Sequence, residues 1–133
     1  MAARTGKTVS VEFLSSRVLI RPADRERSLA FYRDVLGLAT FREFPGGTVF
    51  FLGGGFLEVS GEGPGGSAGV ALWLQVRDLA ATVEELRGRG APVDREPRLE
   101  PWGLREAWTS DPDGTRIHLV EVPADHPMRL DTR

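Results

Sequence analysis

The sequence predicts an α+β fold built from two paired β-α-β-β-β modules, their strands forming a cup-shaped sheet with the helices on its outer face. Two observations carry this prediction. The first is that the same order of periodicities, alternating strand, capped helix and three β-prone runs, occurs twice along the chain. The second is its spacing: Asp24 and Asp78, each ending an alternating run and opening a helical one, lie 54 positions apart, and the helix-terminating Gly37 and Gly90 lie 53 apart.

In chain order, Arg17 to Asp24 reads as a strand running into a helix cap, and Leu29, Tyr32, Val35 and Leu36 give the helix its apolar stripe before Gly37 closes it. Three short strands follow, Leu38 to Phe44, Thr48 to Leu52 and Phe56 to Ser60, separated by Gly46-Gly47 and Gly53-Gly54-Gly55. Gly61 to Gly69 holds five glycines and a proline in nine residues and reads as a linker. The second module opens with Val70 to Asp78 and continues with Leu79, Val83 and Leu86 at helical spacing. Its strands run around Val93 to Leu99, from Arg105 to Thr109 and from Thr115 to Val122, with a Pro112-Asp113-Gly114 turn before the last. The organisation is thus one domain over 1–133: module 1 at about 15–61, the linker 61–69, module 2 at about 70–122, and tails at 1–8 and 123–133. The apolar Val9 to Leu14 segment is expected to add an arm that clasps a partner chain.

Composition excludes several functions. With 17 Lys and Arg against 19 Asp and Glu, the net charge is −2, without the basic excess that nucleic acid rewards. No apolar run approaches the roughly 18 residues of a membrane span, and the first ten residues lack the apolar stretch of a secretory signal, so a cytoplasmic protein is expected. There is no cysteine, hence no disulfide, thiolate chemistry or sulfur-ligated metal, and the two histidines, His118 and His126, exclude any site built on several imidazoles of one chain. The glycine runs do not open a helix behind a strand with a lysine in place, so they are hairpin and linker rather than a phosphate cradle. The Glu84, Glu85, Arg87 and Arg89 pattern is a solvated helix face.

Alternation assigns the faces. Val70, Leu72, Leu74 and Val76 suit the helix side, leaving Ala71, Trp73 and Gln75 in the cup; the same parity sends Arg17, Leu19, Arg21, Phe56, Glu58, Ser60, Arg116, His118 and Val120 there.

On this pattern the chain resembles the vicinal oxygen chelate superfamily, the glyoxalase, bleomycin resistance and extradiol dioxygenase group, from Arg17 to Val122. Ser28-Leu-Ala-Phe-Tyr-Arg-Asp-Val-Leu-Gly-Leu38 is similar to its first-helix signature and Asp111-Pro-Asp-Gly-Thr-Arg-Ile-His-Leu-Val-Glu121 to its closing hairpin; Pro101-Trp-Gly-Leu-Arg-Glu106 resembles the bleomycin resistance branch. The resemblance implies that Arg17, Glu58, Ala71 and His118 occupy the positions that carry metal ligands in the superfamily's enzymes, that Trp102 matches a wall of a drug groove, and that the protein is a homodimer. Arg17 is a permanent cation and Ala71 has no ligating atom, so no metal and no cofactor are expected, unless His126 or a chelating substrate completes the sphere around Glu58 and His118.

Each candidate has two readings. Glu58 is expensive to bury alone, so it either pairs with Arg17 or His118 or contacts ligand. His118 is a pocket wall or, with Glu58, half of an acid–base pair. Trp73 and Trp102 offer flat surfaces for a planar ligand, whereas Trp108 belongs to the core or to the cup depending on where the preceding loop ends. The leading expectation is a metal-independent protein that binds and sequesters a small aromatic or heteroaromatic compound, bleomycin-like antibiotics included, through Trp102, Trp73, Gln75, Glu58, His118, Arg17, Phe56 and Trp108. The alternatives are a lyase, isomerase, cyclase or dioxygenase using Glu58 and His118, and an accessory domain whose cup is a relic.

Overall fold

A computed structural model describes residues 11–66 and 68–128. Module 1 comprises β1 (Val18–Ile20), α1 (Arg25–Ala30), β2 (Thr40–Phe44), β3 (Gly47–Leu52) and β4 (Gly55–Ser60); module 2 comprises β5 (Ala71–Gln75), α2 (Leu79–Gly88), β6 (Arg95–Leu99), β7 (Arg105–Ser110) and β8 (Arg116–Glu121). The strands form two four-stranded sheets of identical topology, β1-β4-β3-β2 and β5-β8-β7-β6. In each, the first strand pairs parallel with the last and the other pairings are antiparallel. The parallel pairing is what the intervening helix permits, since a parallel neighbour needs a crossover.

The two aspartates do the same work in each half. Asp24 Oδ1 accepts from Arg27 N at 3.2 Å and Asp78 Oδ1 from Ala81 N at 3.0 Å, satisfying an amide that the first helical turn leaves open. The helices then part ways. α2 runs regularly, whereas α1 widens after Ala30 into a π-type turn over Phe31–Val35, with Leu36 N bonded to Phe31 O at 2.9 Å. At the hairpin between β2 and β3, Gly47 is required by space, because a Cβ there would stand 2.4 Å from the Ser60 Cβ.

One apolar cluster spans both modules. Phe31, Tyr32, Phe50, Leu57 and Val59 from the first meet Leu72, Leu79, Val83, Leu86, Ile117 and Leu119 from the second. Burial of this kind drives the docking of the halves, each large side chain contributing about 1.5–3 kcal/mol. Polar ties complete it. Tyr32 Oη donates to Asp111 Oδ2 at 2.8 Å in a buried setting, Ala23 N donates to Asp113 Oδ2 at 3.2 Å, and Arg89 Nη1 donates to Val35 O at 3.0 Å. Burial, reinforced by the neighbouring Asp111 charge, pushes the Tyr32 phenol far above its ordinary range, so it stays a donor at any physiological pH. Asp111 Oδ1 meanwhile accepts from Asp113 N and Thr115 N at 2.9 and 2.8 Å, shaping the turn into β8.

The expected arm falls partly outside the described residues, which begin at Val11. Within them, Val11, Phe13 and Leu14 lie in no strand and are almost fully exposed.

Candidate functional site

The pairing register arranges the cup face of the second sheet in rows. Trp73 of β5 is level with His118 of β8, His118 with Trp108 of β7, and Trp108 with Arg95 of β6. On one side lies Ala71 beside Arg116 and Ser110, and on the other Gln75 beside Val120 and Glu106, with Arg98 next to Glu106. Alternation therefore holds along β5, β7 and β8, with an irregularity in β6 between Arg95 and Arg98, and the register settles Trp108: the side chain stands on the cup face, not in the core. Its ring lies 5.3 Å from that of His118, and the Arg95 and Arg116 guanidinium carbons lie 4.2 and 4.1 Å from its centroid.

Two buried carboxylates support this face. Glu100 is paired with Arg95 and approached by Arg98 at 3.6 Å. Glu106, only 4% exposed, accepts from Trp102 Nε1 at 2.8 Å and faces His118 Nδ1 at 3.4 Å. Glu106 follows by parity from Trp108, two residues along β7, whereas Arg95 had no sequence signal, since β6 is irregular between Arg95 and Arg98. Trp102 itself is 58% exposed and yet held at both ends. Its indole N–H is taken by Glu106, and its carbonyl oxygen lies 3.1 Å from His126 Nε2. Met128 N donates to His126 Nδ1 at 3.1 Å, so this imidazole donates through Nε2 and accepts through Nδ1. Gly103, at φ +92°, follows Trp102 and brings the chain against the ring: a Cβ there would stand 3.0 Å from His126.

The first sheet is arranged differently. Leu19, Glu58, Val49 and Arg42 form the row matching Trp73, His118, Trp108 and Arg95. Glu58 Oε1 accepts from Arg17 Nη1 at 2.8 Å, Glu58 Oε2 accepts from the Ser60 hydroxyl at 2.6 Å, and Arg21 Nη1 donates to Ser60 Oγ at 2.6 Å. The partner of Glu58 is thus Arg17, joined by Ser60 and Arg21, and not His118. The Ser60 hydroxyl and then the Arg17 guanidinium hold the Glu58 carboxyl below the usual carboxylate range. Phe56 belongs to an aromatic cluster, 4.9 Å from Phe41 and 5.7 Å from Phe51.

The expected metal positions do not assemble into a donor set. Arg17 offers only donors, Ala71 offers nothing, and both oxygens of Glu58 are engaged, while His118 leans on Glu106 across the other sheet. His126, the reserve ligand, is occupied at the Trp102 turn. Among the described residues no three His, Asp or Glu side chains meet in a geometry fit for a metal ion.

Between the modules, a cavity of about 510 Å³ is lined by Leu36, Leu38, Leu52, Trp73, Gln75 and Leu86, so Trp73 stands at the rim of an apolar cleft. A smaller space of about 340 Å³ opens between the start of β5 and the turn before β8, lined by Gly69, Val70, Ala71, Gly114, Arg116 and His118.

This architecture defines a class, paired β-α-β-β-β modules whose second sheet carries a polar, aromatic face. The comparisons define the family. Residues 15–119 match the Glyoxalase/Bleomycin resistance protein/Dioxygenase superfamily, and the chain belongs to it. A probable lactoylglutathione lyase of Synechocystis is 32% identical over 125 residues, covering 78% of this chain and 92% of that protein. The lactoylglutathione lyase of Haemophilus influenzae is 31% identical over 119 residues, covering 77% and 88%. Among solved structures, a superfamily member from Sphaerobacter thermophilus is 26% identical with a TM-score of 0.65, covering 84% of this chain and 98% of that one. TnmS3, an antibiotic binding protein from Streptomyces, has the same fold, with a TM-score of 0.72 at 24% identity over 87% of this chain and all of its own. No helix among the described residues is long and apolar enough to cross a membrane.

Proposed function

We propose that this protein is a metal-independent binding protein that sequesters a small planar aromatic or heteroaromatic compound, antibiotics of the bleomycin type among them, against the cup face. The observation that carries the reading is Trp102: a large aromatic surface left 58% exposed while its indole N–H and its backbone carbonyl are both fixed by protein partners. An exposed tryptophan with no binding role has no need of two anchors, whereas a ligand platform gains from being held before the ligand arrives. In this reading Trp73, Gln75, His118 and Trp108 complete the binding surface on the second sheet, with Phe56, Glu58 and Arg17 as the contribution of the first module. The shared fold of TnmS3, an antibiotic binding protein, supports the reading. In this view the chain is one cytoplasmic domain acting as a homodimer, which light scattering on the purified protein tests directly.

The test is a titration of planar antibiotics, bleomycin included, against tryptophan fluorescence. Saturable quenching is expected, weakened about tenfold in Trp102→Ala, the scale on which aromatic anchors count in binding sites. Affinity unchanged in that variant would overturn the assignment of Trp102.

A second reading is an enzyme of the lactoylglutathione lyase type, favoured by the 32% and 31% identity to proteins of that name. The occupied Glu58 and the Arg17 and Ala71 positions count against it. Its test is turnover of lactoylglutathione with and without added divalent metal, in the wild type and in Glu58→Gln. Activity lost in the variant would favour the enzyme; no turnover in either protein would exclude this substrate.

A further inference from the structure

The geometry points to an oxyanion subsite at Arg116, and so to a preference for an aromatic carboxylate over the neutral ring of the same shape. The inference rests on the cup being a small-molecule site and names the chemistry of what it takes. The acids of this face are already engaged. Glu100 pairs with Arg95 and faces Arg98, while Glu106 accepts from the Trp102 indole and faces His118. Arg116 has no such partner among the described residues; its contact is the face of Trp108, 4.1 Å away. A guanidinium laid on an aromatic ring is oriented and partly stripped of water but keeps its N–H edge for a planar acceptor, which is the arrangement suited to a carboxylate.

Space lies beside it. The cavity of about 340 Å³ has Arg116 and His118 as its polar groups, and its walls are small: Ala71, Gly69 and Gly114. A Cβ at either glycine would meet nothing within 4 Å, so the mouth is open. Arg116 is level with Ala71, and Trp73 stands on the same face two residues further along β5, about 7 Å away at strand spacing. That separation fits a ligand whose carboxylate meets Arg116 over the small Ala71 while its ring reaches Trp73. Two buried donors of the same face, Trp108 Nε1 and Arg95 Nε, have no acceptor among the described residues.

The experiment follows the indole N–H cross-peaks of Trp73, Trp102 and Trp108 by NMR while sodium benzoate, or neutral benzamide, is added to the full chain. Benzoate is expected to shift Trp108 saturably, with an affinity at least about tenfold above that of benzamide, the scale of one charge-assisted contact. Arg116→Gln removes this preference, and Arg116→Lys, which keeps the charge but loses the flat stack, retains a weakened response. Equal responses to acid and amide, no response of Trp108 to either, or an undiminished benzoate preference in Arg116→Gln would each overturn the subsite. The antibiotic-binding reading fails on a different signal, the absence of any Trp102 response to planar drugs, so the two failures are distinguishable.

Discussion

The two modules share strand order, pairing register and the aspartate that caps each helix, but the matching faces of their sheets carry different kinds of chemistry. In the first, the charges close on themselves. Glu58 is bound by Ser60 and Arg17, Arg21 joins them, and Phe41, Phe51 and Phe56 cluster edge-on or tilted with centroids 4.9 to 5.7 Å apart. In the second, the matching row presents Trp73, His118, Trp108 and Arg95, with Trp102 standing over buried Glu106. The lesson concerns which face of a duplicated sheet is free to change. The helix side is fixed by packing into one shared core, so both modules keep apolar residues at Leu57, Val59, Ile117 and Leu119. The opposite face does not supply that core, and its residues differ between the modules, Leu19 and Val49 standing in the first where Trp73 and Trp108 stand in the second.

The largest effect should come from what joins the halves. Asp111→Ala removes the acceptor of the Tyr32 phenol and of two turn amides, and should cost about 3 kcal/mol in a denaturant melt while leaving isolated strand pairings intact. A loss confined to the turn, with Tyr32 unaffected, would break the picture of a shared core locked at this point. Next in size is the asymmetry in binding. Trp102→Ala should lower affinity for a planar antibiotic about tenfold, whereas Phe51→Ala in the first module should change it far less; equal losses would erase the distinction between the faces.

A smaller effect concerns the closed ion cluster. The folded Glu58 carboxyl titrates below its unfolded value, so its contribution is present above the ordinary carboxylate range and is lost as pH falls through the lowered folded value. Glu58→Gln should therefore melt below the wild type at neutral pH, and the gap should shrink on acidification. A constant gap would mean that geometry, not charge, is what Glu58 supplies. The smallest effect is expected from His126→Ala, which frees only the carbonyl end of the Trp102 turn. About threefold weaker ligand binding, with a lower fluorescence anisotropy for Trp102, would sharpen the contrast between a held and a loose aromatic.

Most of the fold was legible because two independent signals, alternation and cap spacing, repeat. Asp24 and Asp78 announce the helices by a local hydrogen bond that depends on no distant residue. The widened turn at Phe31–Val35 was not legible: its apolar spacing is that of an ordinary helix, and the i→i+5 pattern is decided by packing. The site divides the same way. Parity placed Trp73, Gln75, Glu58 and His118 on the cup face, since each lies inside a regular strand. It left Trp108 open because β7 starts behind an irregular turn whose length sets the phase. Partners were harder still. Whether Glu58 would choose Arg17 or His118 depends on which sheet each strand joins, and sequence alternation carries no information across sheets. His126 lies in a segment without periodicity, so its hold on Trp102 had no sequence signal.

The Tyr32–Asp111 bond also bears on what a half of this chain would be. Cut within the glycine-rich stretch, each piece would keep its strands and its capped helix, but one would carry a buried phenol without its acceptor and the other a carboxylate without its donor. Each piece alone would also expose its side of the shared apolar cluster, and mixing them would restore both groups at once. The two fragments are thus expected to reassemble through the shared apolar core together with the Tyr32–Asp111, Ala23–Asp113 and Arg89–Val35 ties.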